Sequence, residues 1–400
     1  MKMKTIFSST ILLTGILIAG TSCKQNSSST DAATTAVDSA FVAHPIAVPK
    51  QDVKTLEIGQ SAPDFRLPDV NGKYVSLRDF KDADVLVIIF HCNHCPTAQA
   101  YEDRMISFTN DYKGKSLAMV AIMPNSALGL LPEECGYTDL NDSFKEMKIR
   151  YDHKKYNFPY LYDGDNQSVA IAYGPIATPH AFVFDKDRKL QYNGRIDGIE
   201  KPGAANSEDL RAAVDAVLTG KPVETPVNKV FGCTTKWAWK GEYGKEVEEK
   251  WNAKPSPISK LNESGIKELV KNPTDKLRLI NVWATWCAPC IMEYPEIVAL
   301  QRWYGHRNFE FVSLSADNPE HIDRAQKFLE KTHSPVQNFI YDGSDKYKLI
   351  EAVDPKWNGA LPYTLLLEPG GKVVYSYQGP VDLLELKRAI VEHPLMGRYY

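Results

Sequence analysis

Two Cys-x-x-Cys units constrain this 400-residue chain more than any other feature: Cys92-Asn93-His94-Cys95 and Cys287-Ala288-Pro289-Cys290. Each closes a strongly apolar run, Val85 to Phe90 and Leu277 to Trp283, and each precedes an X-Pro step, Thr178-Pro179 and Leu361-Pro362. A duplicated layout of this kind requires two similar folding units. It also makes thiol–disulfide exchange the leading chemistry.

Four hundred residues exceed what one hydrophobic core serves, so two domains of roughly 150 to 190 residues are expected once the N-terminal segment is set aside. The expected division is 1–23 export signal, 24–51 polar tether, 52–220 first domain, 221–257 connector and 258–400 second domain. Lys2 and Lys4 precede an apolar stretch, Ile6 to Ala19, that is short and interrupted by Ser8, Ser9, Thr10 and Thr14. That suits an export signal better than a membrane span, which needs about 20 mostly apolar residues. The stretch ends at Gly20-Thr21-Ser22-Cys23, which resembles a bacterial lipoprotein box with Cys23 as the lipidated residue; an ordinary signal peptide with an incidental cysteine is the alternative. A bacterial cell envelope location with a lipid anchor in the membrane follows from the first reading. The compartment outside the cytoplasmic membrane is oxidising and permits disulfides. The balance of 47 basic against 50 acidic residues gives no reason to expect a nucleic-acid partner.

The apolar pattern alternates strand and helix. Asn71-Gly72 marks a tight turn between two short strands. Val85 to Phe90 reads as a central strand buried on both faces, and Tyr101, Met105 and Phe108 continue at helical spacing after Pro96. Strand, helix, strand and helix signals follow at Leu117–Ile122, Leu140–Tyr156, Tyr160–Tyr162 and Gln167–Tyr173. A hairpin turns at Lys186-Asp187-Arg188, and a helix at Ser207–Leu218 closes the unit. The second half repeats this order, with its hairpin across Glu368-Pro369-Gly370-Gly371. The fold class is therefore α/β, each domain a central mixed sheet flanked by helices. The connector carries Trp237, Trp239 and Trp251 and is expected to pack on a domain.

A cysteine between a buried strand and a helix meets unpaired backbone N–H groups and the positive end of the macrodipole, which favour the thiolate that exchange requires. A second cysteine one turn on can resolve the mixed disulfide. Cys92 and Cys287 are the expected nucleophiles, Cys95 and Cys290 the resolvers. Zinc ribbons need a second ligand pair, and the second domain has no further cysteine. In the first domain His91, Cys92, His94 and Cys95 leave a copper or zinc binding module open as an alternative. If Thr178-Pro179 and Leu361-Pro362 are cis, each presents a backbone edge to an extended substrate; a trans loop proline is the alternative. Cys135 and Cys233 stand apart. They are expected to bond to each other and pin the connector, or else to serve as accessory redox thiols.

The second domain resembles thioredoxin-like reductases of the TlpA and ResA type, through Trp286-Cys287-Ala288-Pro289-Cys290, Glu293, Pro295 and Leu361-Pro362-Tyr363-Thr364. The resemblance implies a thioredoxin-like fold and a half-buried acid at Glu293 that exchanges protons with the resolving thiol; a solvated helix glutamate is the alternative. The first domain resembles the peroxiredoxin-like (AhpC/TSA, redoxin) branch of the same superfamily. The residues that carry it are Gly59-Gln60-Ser61-Ala62-Pro63-Asp64-Phe65, Cys92-Asn93-His94-Cys95-Pro96, Thr178-Pro179, Gly194-Arg195-Ile196-Asp197 and Gly232-Cys233-Thr234-Thr235-Lys236-Trp237. Peroxiredoxins set a Pro seven residues and a Thr or Ser three residues before the peroxidatic cysteine. Here those positions are Ile88 and Cys92 counted from Cys95, or Val85 and Ile89 counted from Cys92, so a thiol-dependent peroxidase is the secondary enzymatic expectation. The principal one is an oxidoreductase acting on protein or small-molecule disulfides and thiols, without an organic cofactor. The imidazole of His94 is expected to make the first pair the more oxidising, so that electrons pass from Cys287/Cys290 to Cys92/Cys95.

Overall fold

Val85–Phe90 places six successive apolar side chains on alternating faces of one strand, and all six are fully buried. The computed structural model describes residues 41–397; the expected export signal with Cys23 and most of the expected tether lie outside the described residues. In chain order the first lobe contains β1 (Arg66–Pro68), β2 (Tyr74–Ser76), β3 (Val85–Phe90), α1 (Pro96–Asp111), β4 (Leu117–Met123), α2 (Phe144–Lys154), β5 (Tyr160–Tyr162), α3 (Ser168–Tyr173), β6 (Ala177–Thr178), β7 (His180–Phe184), β8 (Leu190–Gly194) and α4 (Glu208–Leu218). The connector contributes β9 (Cys233–Thr234) and α5 (Gly241–Asn252). The second lobe contains β10 (Ile258–Leu261), α6 (Glu263–Lys271), β11 (Leu277–Trp283), α7 (Ala288–Tyr304), β12 (Phe309–Ser315), α8 (Ile322–Lys331), β13 (Gln337–Tyr341), α9 (Lys346–Val353), β14 (Tyr363–Leu367), β15 (Val373–Gln378) and α10 (Leu383–Val391).

The first sheet runs β5-β4-β3-β7-β8, parallel across β5, β4 and β3 and antiparallel from β3 to β7 and β8. The second repeats that order as β13-β12-β11-β14-β15 and adds β10 at its edge. Each sheet is mixed and covered on both faces, giving the thioredoxin-like α/β architecture twice. On one face of β3, Val85, Val87 and Ile89 pack with Tyr101, Met105 and Phe108 of α1 and Leu210 and Val214 of α4. On the other, Leu86, Ile88 and Phe90 meet Val169, Ala170 and Tyr173 of α3. Each such buried side chain contributes about 1.5–3 kcal/mol relative to exposure. In the second lobe, Leu279 and Trp283 face Tyr294 and Ile297 of α7, and Ile280 and Val282 face Ile266, Leu349 and Val353.

The two lobes form one compact unit from Phe41 onward. Residues 41–51 have no helix or strand, yet Phe41 lies edge-on to Phe144 with centroids 4.8 Å apart and Ile46 N donates to Asp165 O at 2.8 Å. The helix expected over Leu140–Tyr156 starts only at Phe144, because Ser143 caps it and the preceding Asp142 is drawn into the lobe interior. Helix α5, strand β10 and helix α6 have no counterpart in the expected element order. Across the lobe boundary Tyr304 Oη donates to Thr138 O at 2.8 Å, Arg307 Nη1 to Gly136 O at 2.8 Å and Arg388 Nε to Asp139 Oδ2 at 3.0 Å. Among the described residues no helix is long and apolar enough to cross a membrane.

Candidate redox sites

In the second lobe the predicted pair is bridged: Cys287 and Cys290 form a disulfide. Cys287 is the N-cap of α7, with its sulfur accepting from Cys290 N at 3.3 Å, and Pro289 lies in the first turn, where a missing N–H is harmless. Trp286 beside the bridge is 63% exposed and Met292 is 80% exposed, so apolar surface surrounds the more accessible sulfur. Glu293 sits one turn beyond Cys290. Its carboxylate accepts from Asn281 Nδ2 at 3.2 Å and from Val381 N at 3.1 Å, and burial pushes its pKa up. The Leu361-Pro362 bond is cis, and among the described residues no strand pairs with the Leu361 edge.

The first lobe differs from its expectation in three ways. Residues 92–95 form an irregular loop and Cys95, not Cys92, is the N-cap of α1, with Pro96 as the first helical residue. The helix begins one cysteine later here because Asp142, 47 residues beyond Cys95, ties down the loop: its carboxylate accepts from Asn93 N at 2.9 Å, His94 N at 3.0 Å and His94 Nδ1 at 2.5 Å. Burial alone would raise Cys95, but hydrogen bonds from Cys233 and Cys92, the charge on His94 and the Ala98 N–H outweigh it and hold this thiol well below the usual range. Burial, the hydrogen bond with Cys95 and the Asp142 charge push Cys92 well above that range. These influences favour the thiolate at Cys95, the sulfur at the helix start, over Cys92.

Second, both cysteines are wholly buried, so neither sulfur of the pair expected to exchange with substrate meets solvent. The Thr178-Pro179 bond is cis, and Thr178 lies over the pair: its Oγ1 is 2.9 Å from Cys92 Sγ, and its carbonyl oxygen is 3.3 Å from Cys95 Sγ. Third, Cys135 and Cys233 are free and do not pair. Cys135 packs in the core of the second lobe through the turn Pro132–Cys135, with Trp303 nearby, and burial raises its thiol. Cys233 lies instead against Cys95. Strand β9 pairs antiparallel with β6, setting Cys233 opposite Thr178, and Cys233 N donates to Cys95 Sγ at 3.2 Å. The connector is fixed by Lys236 N to Asn125 Oδ1 at 2.8 Å and Ala238 N to Gln167 Oε1 at 2.7 Å.

The ligand set His91, Cys92, His94 and Cys95 is not assembled around one point. Burial lowers His91 to about 4, leaving it neutral, and its Nε2 is 3.0 Å from Tyr156 Oη; Cys95 faces Thr178 and Cys233. Cys92, His94 and Asp142 do bring one ligand atom each within 4.8 Å of one another, but His94 Nδ1 already holds Asp142. Asp142 and Asn125, whose Nδ2 donates to Asp142 at 2.7 Å, are site residues that no local pattern marks. Cys233 carries a signal, the Gly232-Cys233 motif, but its neighbour is Cys95 and not Cys135. Asp197, the last residue of Gly194-Arg195-Ile196-Asp197, holds the helix behind the site by accepting from Arg104 Nη1 at 2.8 Å and Tyr101 Oη at 3.1 Å.

Comparison with known proteins bears on both lobes. The AhpC/TSA family matches residues 58–193 and the Redoxin family residues 266–390. The thiol:disulfide interchange protein HelX of Rhodobacter capsulatus is 31% identical over 108 residues, covering 26% of this chain and 54% of that protein. The thiol-disulfide oxidoreductase ResA of Bacillus thuringiensis is 28% identical over 137 residues, 34% of this chain and 68% of its own. The chain thus spans about half to two thirds of the length of the curated relatives it matches. Among solved structures, a hypothetical protein from Sinorhizobium meliloti 1021 is 38% identical, with 47% of this chain and 98% of that one covered and a TM-score of 0.41. An uncharacterized conserved protein from Geobacillus kaustophilus is 36% identical, with 48% and 98% covered and a TM-score of 0.41. Two cysteine centres on two sheets of one topology, each lobe with its own family match, make the chain a tandem thioredoxin-like protein, an AhpC/TSA lobe followed by a Redoxin lobe.

Proposed function

We propose that this chain is a thiol–disulfide oxidoreductase of the bacterial cell envelope, held to a membrane by a lipid on Cys23, with one redox centre in each lobe and protein or small-molecule thiols and disulfides as substrates. The observation that carries the reading is the Cys287–Cys290 bridge at the N-cap of α7, with its more exposed sulfur first. A substrate thiolate attacks Cys287 Sγ, the S–S bond breaks, and Cys290 leaves as the thiolate stabilised at the helix start. Glu293, protonated more readily than an ordinary glutamic acid, supplies the proton that Cys290 takes up. A second substrate thiol then attacks the mixed disulfide and frees Cys287. The reverse sequence reduces a substrate disulfide.

The charge on His94 and the thiolate at Cys95 favour the reduced state of the first lobe, so electrons run from the second lobe to the first. Equilibrating the full chain with glutathione buffers and mapping each bridge after acid quenching tests this. The first-lobe bridge is expected to open at the less negative potential, and the opposite order reverses the direction. Labelling with a palmitate analogue, lost in Cys23→Ala, tests the anchor. The AhpC/TSA match supports a second reading, a thiol-dependent peroxidase at Cys95, distinguished by hydroperoxide consumption that Cys95→Ser abolishes.

A further inference from the structure

A free backbone edge beside the cysteines can take up an extended segment by strand addition. In the second lobe that edge at Leu361 has no paired strand among the described residues, whereas in the first lobe it is occupied by the chain's own connector: β9 pairs with β6, and Cys233 lies opposite Thr178. Gly232 makes the approach possible. A Cβ there would stand 2.1 Å from Thr178 O, and its φ of +133° is one that other residues rarely adopt. The segment seals Cys92 and Cys95 from solvent, while Cys233 itself is only half-buried and lines a cleft of about 450 Å³ with His94, Lys236, Glu134 and Phe231.

From this arrangement we propose that Cys233 is the entry thiol of the first lobe, a built-in substrate segment that exchanges with outside disulfides and forms a disulfide with Cys95, so that electrons reach the buried pair through it. The proposal deepens the oxidoreductase reading and rests on it. With all three thiols reduced, Cys233 gives its proton to Cys95, its hydrogen-bonded neighbour, and attacks an incoming disulfide RSSR; one S–S bond breaks, Cys233–S–SR forms and RS⁻ departs. Cys95, its proton passing to the departing RS⁻, then attacks Cys233 Sγ as the thiolate. The Cys95–Cys233 bond forms and the second RS⁻ leaves, so RSSR, the Cys233 thiol and the Cys95 thiolate become one protein disulfide, one RSH and one RS⁻. Cys92 can next attack Cys95, forming Cys92–Cys95 and returning Cys233 to the thiol as it takes up the Cys92 proton. Lys236, whose backbone carbonyl accepts from Ser126 N at 2.9 Å and whose ammonium is paired with Glu134 at 2.5 Å, lines the cleft beside Cys233.

The test is timed oxidation of the reduced full chain by glutathione disulfide, with acid quenching, alkylation and non-reducing peptide mapping. In Cys92→Ser a crosslink between the peptide carrying Cys95 and the peptide carrying Cys233 is expected. In Cys233→Ser, and in Cys233→Ala as the check on a polar replacement, formation of Cys92–Cys95 is expected to slow by about tenfold or more. Far-UV circular dichroism and thermal unfolding matching the wild type report that the variants are folded. No Cys95–Cys233 crosslink in Cys92→Ser, or an unchanged rate of Cys92–Cys95 formation without Cys233, overturns the entry role and leaves the redox reading of the lobe standing. No bridge at Cys95 in any variant overturns both.

Discussion

His94 Nδ1 and Asp142 Oδ2 lie 2.5 Å apart in a site where both residues are wholly buried. Desolvation opposes the charge on each partner, but the Asp142 carboxylate raises His94 and the His94 imidazolium lowers Asp142, so each favours the charged form of the other. Removing one partner strands a charge in the interior, so Asp142→Asn is expected to cost about 3–5 kcal/mol in urea unfolding and His94→Gln a similar amount. His94 is held above its ordinary 6.5, so its contribution is complete below that value and lost as pH rises through the folded-state value. Asp142 is held below its ordinary 3.8, so its contribution is present above that value and lost as pH falls through the folded-state value. The stability difference between wild type and Asp142→Asn is therefore greatest between those two ordinary values. A pH-independent difference would exclude a charged pair.

The same charge supports the thiolate at Cys95. His94→Gln is expected to move the pH midpoint of Cys95 alkylation, measured in unfolding-free conditions with a small reagent in a Cys92→Ser background, upward from its lowered wild-type position. An unmoved midpoint would assign the thiolate to the helix start and the Cys233 contacts alone.

Gly232 sets how closely β9 approaches Thr178. Gly232→Ala is expected to displace β9 at a cost of about 1–3 kcal/mol and to raise the alkylation rate of Cys95, read by mass spectrometry, while Cys135 stays protected. Equal protection of Cys95 in the variant would show that β9 does not seal the site.

Glu293 is anchored at both carboxylate oxygens, by Asn281 and Val381, one turn beyond Cys290. Glu293→Gln keeps the shape and removes the proton carrier. Reduction of Cys287–Cys290 by dithiothreitol, followed by tryptophan fluorescence, is expected to slow about a hundredfold near neutral pH and to lose its inflection at the raised Glu293 pKa. A retained inflection would trace it to another group.

Asp139 is buried between Arg150 of the first lobe at 3.4 Å and Arg388 of the second at 3.0 Å. Asp139→Ala is expected to destabilise by about 3 kcal/mol or more and to separate one thermal unfolding transition into two, as the lobes lose the contact that couples them. A single, unshifted calorimetric transition would count against that coupling.

Much of this was legible in the sequence because the signals are local. The central strands Val85–Phe90 and Leu277–Trp283, the helices after each Cys-x-x-Cys and the two hairpins follow from apolar runs, helical spacing and turn residues, which act within a few residues of themselves. Amphipathic α6 was as local but short, and β10, a half-exposed edge strand, carries little apolar signal.

The sequence by itself determined two thiol centres, two sheets of one topology and the place of an X-Pro step near each centre. Tertiary structure alone decided that Cys95 rather than Cys92 starts the helix, that Asp142 and Asn125 reach His94, that Cys135 joins the second lobe and that Cys233 fills the groove of the first. The reason is physical: a capped helix or an alternating strand is specified by neighbours in the chain, but the charge state of a buried sulfur depends on whichever distant groups the packed fold brings within a few ångströms of it.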